Sequence, residues 1–179
     1  DSSVGKTTII SQIMFGQSKD NQSATIGIDF FAKNITVGTE TVRIQMWDTA
    51  GQEQYRSVIP SYLRDSAIAV IIYDITNQES FEHIDLWVKM VQDVSKPAII
   101  IVGNKTDLEE IRAVPEEDGQ KIAQTYNADF VETSAKKPSN MDKLLDIISH
   151  VPFDSPASDK QPKVDIKEEN SENNSTCFC

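Results

Sequence analysis

Cysteine is scarce in this sequence: only two occur among 179 residues, Cys177 and Cys179, both within the last three positions. The body therefore carries no disulfide framework. Long apolar runs are missing as well, and nothing approaches the eighteen or so residues of a membrane-spanning helix. Basic residues are outnumbered, with 17 Lys and Arg against 28 Asp and Glu, for a net charge of -11. That balance disfavours a nucleic-acid partner, because phosphate backbones select basic surfaces. No basic start followed by an apolar middle opens the sequence, so no secretory leader is expected. Histidine is limited to His83 and His150. Neither has carboxylate or cysteine neighbours at metal-ligand spacing, and both are expected to be structural. No Ser-His-Asp or Cys-His arrangement is evident. The expectation is an acidic, cytosolic protein of one domain plus a tail.

What is present is an alternation of helix and strand patterns. After Thr7, the apolar residues Ile9, Ile10, Ile13 and Met14 recur at helical spacing. Two strand-like runs follow, 30–37 and 41–48, and in the second Val42, Ile44 and Met46 alternate with Arg43, Gln45 and Trp47, as in a half-buried antiparallel strand. Residues 67–73 and 98–102 are continuously apolar, which predicts parallel strands covered on both faces. Phe81, Ile84, Trp87, Val88 and Val91 form a helical stripe with Ser80 as its expected cap. Pro115 with Glu116, Glu117 and Asp118 opens another helix, acidic in its first turn. Gly119 interrupts that stripe and predicts some weakening. A short strand over 130–133 precedes a third helix through Met141, Leu144, Leu145, Ile148 and Val151. This order predicts an α/β domain over 1–151 with a mostly parallel sheet and one antiparallel strand. From Pro152 the composition turns polar and charged, which predicts a disordered tail with a mean span of about 30 Å.

Four short strings carry chemistry. Asp1-Ser2-Ser3-Val4-Gly5-Lys6-Thr7 reads as a phosphate-binding P-loop without its opening glycine, which is expected immediately before Asp1 in the intact protein. The N–H groups of Ser3, Val4, Gly5, Lys6, Thr7 and Thr8 would surround phosphates at a helix N-terminus. Lys6 would reach the β- and γ-phosphates and the Thr7 hydroxyl would bind Mg²⁺. Asp48-Thr49-Ala50-Gly51-Gln52 follows an apolar strand: Asp48 would hold Mg²⁺, Gly51 would offer its N–H to the γ-phosphate, and Gln52 would orient the attacking water. In Asn104-Lys105-Thr106-Asp107, the Asp107 carboxylate can accept both the N1–H and the exocyclic amine of guanine. The Lys105 stem would lie over the base while Asn104 braces the neighbouring loops. Ser134, Ala135 and Lys136 follow the final strand and would bring a backbone N–H to the guanine carbonyl. Any one string has a bland reading as turn chemistry. Four in order, each beside a strand, do not.

Together these strings resemble the Ras superfamily of small GTPases. Within it, Ile26-Gly27-Ile28-Asp29-Phe30, Trp47 before Asp48, and Tyr73-Asp74-Ile75-Thr76 resemble the Rab branch. Residues 56–66 are similar to the Golgi-associated Rabs. The resemblance implies a three-layer P-loop NTPase fold in which the first, central strand precedes Asp1 and is absent here. It implies Thr25 as the switch threonine that adds a hydroxyl to Mg²⁺ with GTP bound. It implies Ile28, Phe30, Trp47 and Tyr62 as an effector surface, the three aromatics also admitting ordinary packing. It further implies an exchange factor, a GTPase-activating protein, an escort protein and a dissociation inhibitor as partners of a monomer. The implied location is the cytoplasmic face of intracellular membranes, Golgi among them, in exchange with the cytosol. Cys177-Phe178-Cys179 resembles the ending on which Rabs receive two geranylgeranyl groups. Two lipids make physical sense, since one gives only marginal anchoring and the tail has no polybasic patch.

The pattern also departs from the family. Ser18 stands where a guanine-packing phenylalanine is usual, with Phe15 one turn earlier as a candidate substitute. Gln54 and Gln22 replace a customary arginine and aromatic. The chain's start inside the P-loop suggests a fragment. A weakly binding or non-cycling scaffold, another P-loop enzyme such as an ATP-dependent kinase, and a non-functional fragment remain open as alternatives.

Overall fold

The computed structural model describes residues 1–17, 27–37, 39–49 and 59–151. Helix α1 (Lys6–Phe15) leads into strands β1 (Ile28–Val37) and β2 (Glu40–Thr49), and a short helix α2 (Ile59–Leu63) precedes β3 (Ile68–Asp74). Then come α3 (Gln78–Glu82), α4 (Ile84–Val94), β4 (Ala98–Asn104) and a 3-10 turn (Thr106–Ile111). Helix α5 (Glu116–Thr125), strand β5 (Asp129–Thr133) and helix α6 (Met141–His150) complete the order.

The result is the expected α/β fold, with its sheet in two parts. Strands β1 and β2 form an antiparallel pair, while β3, β4 and β5 form a parallel sheet in that order. In β2 the alternation is seen as read: Val42, Ile44 and Met46 are half-buried, and Arg43, Gln45 and Trp47 are exposed. The parallel sheet carries helices on both faces. On one, Ala69, Ile71, Tyr73, Ile99 and Ile101 pack with Ile84, Val88 and Val91 of α4 and Ala123 of α5. On the other, Ile100, Val102 and Val131 pack with Ile9 and Ile13 of α1 and Met141 and Leu144 of α6. Met46 of β2 and Ile68 and Ile72 of β3 border that second cluster, so α1 joins the two parts of the sheet. Each fully buried isoleucine, such as Ile100 or Ile101, contributes about 1.5–3 kcal/mol.

Three local expectations are revised. Strand β4 is covered on both faces, but β3 is not: Val70 is 37% exposed. Strand β4 is central, whereas β3 lies at the sheet's edge and its α1-facing side is only partly covered. Ser80 is not a helix cap. The cap is Asn77, whose side chain accepts a hydrogen bond from Ser80 N at 3.1 Å, and Ser80 is buried one turn inside α3. Its hydroxyl accepts from Asp74 N at 3.0 Å and donates to Asn77 O at 2.8 Å. Local polar bonding thus starts the helix three residues before the apolar stripe does. Gly119 is explained by packing. A Cβ there would lie 2.5 Å from Tyr73 Oη and 2.6 Å from the Phe130 ring. Only a glycine lets α5 sit this close to the sheet.

Candidate nucleotide-binding site

The C-terminal ends of β2, β3, β4 and β5 are where the predicted site strings meet. Helix α1 begins directly after Gly5, whose φ of 98° is left-handed and strained for any side chain. No side chain caps this N-terminus, and no acid stands in its first turn. The first-turn N–H groups are therefore suited to an anion. Lys6 lies against this turn with its ammonium donating to the Asp1 carbonyl. Burial pushes its pKa below the ordinary lysine value, with the nearby Asp48 charge opposing. Val4 is buried, Thr8 half-buried and Ser3 exposed.

Asp48 arrives from the end of β2. It is fully buried, and its Oδ2 accepts a hydrogen bond from the Thr7 hydroxyl at 2.5 Å. Magnesium takes hard oxygen ligands and usually binds through one or two carboxylates plus substrate phosphates. A hydroxyl and a buried carboxylate side by side at an anion-attracting helix end fit that ion.

At the other end, β4 and β5 deliver their strings in parallel register, with Asn104 opposite Thr133. Asn104 is buried; its Nδ2 donates to Val4 O at 2.8 Å, and its Oδ1 accepts from Thr133 Oγ1 at 3.2 Å. One amide therefore ties the phosphate loop to β5. Asp107 Oδ1 accepts from Ser134 Oγ at 2.6 Å, and Ser134 Oγ in turn accepts from Lys137 N at 3.0 Å. An ionised carboxylate has about four acceptor positions, so acceptor capacity for two ligand donors remains. Ala135 is buried and Lys136 exposed. Lys105 takes a left-handed backbone with φ 72° and pairs with Asp74 Oδ2 at 2.7 Å. That conformation costs a lysine about 1–2 kcal/mol, which the surrounding bonds must offset. Burial alone would raise the pKa of Asp74. The Lys105 hydrogen bond, the N–H and hydroxyl of Thr76, and the Lys105 charge outweigh it and hold the carboxyl below its ordinary value.

A family model for the Ras family matches residues 1–151. The chain belongs to the Ras family. Membership makes it a small GTPase, a class that binds GTP and GDP with Mg²⁺, and the strings read as nucleotide-binding lie where such a ligand would sit. Thr25, Gly51 and Gln52 fall outside the described residues, as do Ser18, Gln22, Gln54, Cys177 and Cys179. Phe15, proposed to stand in for Ser18, is 61% exposed at the end of α1. Of the effector-surface residues, Phe30 and Trp47 are paired across β1 and β2 with ring centroids 4.7 Å apart. Tyr62 of α2 adds a third ring 4.9 Å from Trp47. Phe30 is 47% and Trp47 43% exposed, and Ile28 is half-buried.

The Ras-family strings do not account for everything at the site. Asp74, the Asp1 carboxylate, His83 and Trp87 all take part in its bonding without having been singled out for it. Asp1 Oδ1 accepts from Trp87 Nε1 at 2.7 Å, and His83 Nδ1 stands 2.6 Å from Asp1 Oδ2. One signal was available: His83 and Trp87 are four apart on one helical face and must point the same way. Separately, a hollow of about 560 Å³ lies against α5, β5 and the 3-10 turn, lined by Arg112, Phe130, Glu132 and Lys143 among others. Among the described residues of the four strings, Thr106 alone lines it. Arg112 is committed there to Glu132, through Nη1 and Nη2 at 2.7 Å each.

Proposed function

We propose that this chain is a Rab-type switch that binds GTP and GDP, hydrolyses GTP slowly and recruits effectors in intracellular vesicle traffic. The single observation that carries the nucleotide part is the wiring of the two ends. Asn104 holds the Val4 carbonyl of the phosphate loop and the Thr133 hydroxyl, three residues from Asp107, itself tied to Ser134. A base reader and a phosphate loop fixed on one frame suit a purine nucleoside di- or triphosphate.

In this reading Asp107 accepts from the guanine N1–H and amine, which adenine cannot supply as a pair. Asn104 holds the loops, Lys105 covers the base, and the Ser134-Ala135-Lys136 turn meets the guanine carbonyl. Lys6 and the N–H groups of 3–8 carry phosphate charge. Thr7 and Asp48, joined by Thr25, would hold Mg²⁺, which when bound neutralises charge developing on the phosphates. Gln52 orients the water and Gly51 meets the γ-phosphate. No arginine finger is evident in the chain, and in Ras that contribution from a partner is worth about 10⁵-fold in rate. Slow unaided turnover follows.

The Phe30–Trp47–Tyr62 cluster supports an effector face, because the exposed Phe30 and Trp47, backed by the half-buried Tyr62, are aromatics of the kind that anchor partners. Residues 1–151 would form the GTPase domain, and 152–179 a tether carrying geranylgeranyl groups on Cys177 and Cys179. The Golgi assignment rests on the similarity of 56–66. Single-turnover hydrolysis tests the enzyme: we expect slow phosphate release from GTP, reduced about tenfold or more in Gln52→Leu. Equal turnover of ATP, or indifference to Gln52→Leu, would sink the reading. Mass spectrometry of the cellular protein should find two isoprenoid additions on its final residues; bare thiols would remove the tether.

A further inference from the structure

An aspartate at the start of a phosphate-binding loop is electrostatically awkward, since it places a negative charge beside the expected anion. Here its carboxylate is turned away into the protein and is only 15% exposed. Both oxygens are held by the same short segment. Oδ1 accepts from the Trp87 indole N–H at 2.7 Å, and Oδ2 faces His83 Nδ1 at 2.6 Å. An ionised carboxylate can only accept, so Nδ1 carries the proton in this contact. His83 closes α3 and begins α4, and Trp87 N donates to His83 O at 3.1 Å, which fixes the two donors in relation to each other. Trp87 also packs against the core cluster that holds Val88 and Val91. The backbone carbonyl of the same Asp1 accepts from the Lys6 ammonium. One residue therefore joins the buried helix layer, the loop backbone and the phosphate-reading lysine.

We infer that Asp1 is a positioning residue, fastening the phosphate loop to the α3–α4 junction through His83 and Trp87, so that nucleotide residence is coupled to that junction. The inference rests on reading residues 1–7 as the phosphate site. Two charge-assisted hydrogen bonds restrain the loop on its outer side, as Asn104 restrains Val4 on its inner side. Anything that shifts the α3–α4 junction, a partner seated on α4 included, moves Asp1 and with it the frame around Lys6.

The test starts from the full chain loaded with a fluorescent GDP analogue. Wild type that binds no guanine nucleotide overturns the site reading and the coupling with it. In a chain that binds, Trp87→Phe should speed GDP release about tenfold, the effect of one hydrogen bond to a charged group. In an Asp1→Ala background the same substitution should change release by less than about twofold, within the scatter of uncoupled sites. An equal acceleration in both backgrounds overturns the coupling and leaves Trp87 a packing residue. Amide-type ¹⁵N NMR supplies a readout independent of nucleotide: the Trp87 indole N–H resonance, assigned through Trp87→Phe, should move in Asp1→Ala. An unmoved resonance overturns the anchor itself. Should Trp87→Phe fail to fold, His83→Ala removes the other donor and enters the same cycle.

Discussion

The two ends of the site are held by different kinds of structure. The base end sits on two adjacent parallel strands: one tie, Asn104 to Thr133, joins residues that strand register places side by side, and the other, Asp107 to Ser134, runs between the segments just beyond those strands. Behind it, Tyr73, Gly103 and Gly119 pack at close range. The phosphate end has no such backing. It is a loop and a helix terminus, located by contacts that reach far along the chain: Val4 to Asn104, Thr7 to Asp48, Asp1 to His83 and Trp87. The lesson is about partition of roles. Base selection is built into the sheet, where changes should disturb the fold as well as the ligand. Phosphate handling is built on a loop and a helix terminus, where changes should disturb the ligand far more than the fold.

The largest expected effects test each end directly. Lys6→Ala should weaken GDP binding by about 100-fold or more, as loss of a charged donor to phosphate implies, while the urea midpoint barely moves. Asp107→Ala should lose a similar factor for GDP and also lose the preference over ADP; isothermal titration with both nucleotides reads this. If Lys6→Ala unfolds the protein, the contrast between the ends is wrong.

Next in size is Asp74, which anchors Lys105 from the end of β3. Its carboxyl titrates below the unfolded value of about 3.9, so its contribution is fully present above that pH and is lost as pH falls through the folded value. Asp74→Asn should therefore cost about 2 kcal/mol at pH 7 and progressively less toward pH 3. Urea unfolding across that range would check it; a constant penalty would mean the charge is irrelevant.

Two smaller effects probe the packing under the base end. Gly119→Ala gains up to about 1 kcal/mol of helix propensity but must push its Cβ against Tyr73 and Phe130. Overpacking costs about 1–3 kcal/mol, so a net loss near 1 kcal/mol is expected in thermal unfolding. Tyr73→Phe has the opposite sign. The Tyr73 hydroxyl is buried with no hydrogen-bond partner among the described residues, and burial, with Glu132 next, drives its pKa well up. Removing it should be neutral or stabilising by up to about 1 kcal/mol. A large loss instead would show that the hydroxyl has a partner in solution.

Legibility in the sequence followed the same divide. The strands, the mostly parallel character of the sheet and the base-end strings could be read because each of those strings directly follows an apolar run, and period and spacing are local signals. The phosphate-loop string was legible from its own Gly5-Lys6-Thr7 pattern, directly ahead of a helical period. The Asp1–Trp87 and Asp74–Lys105 ties were not, since they join residues 86 and 31 positions apart, with no local signature. The meaning of Gly119 was also hidden. Propensity reads a glycine in a helix as weakness, whereas the neighbours that require it come from β3 and β5. Ser80 was misplaced because apolar periodicity marks where a helix is buried, while Asn77 marks where it begins.

The central claim is that this frame holds a guanine nucleotide, and the most direct test is to heat the purified protein and identify by chromatography what it releases. The account predicts GDP or GTP, close to one per chain, retained in Phe30→Ala and absent after Lys6→Ala. Adenine nucleotide, or a folded protein that releases none, would contradict it.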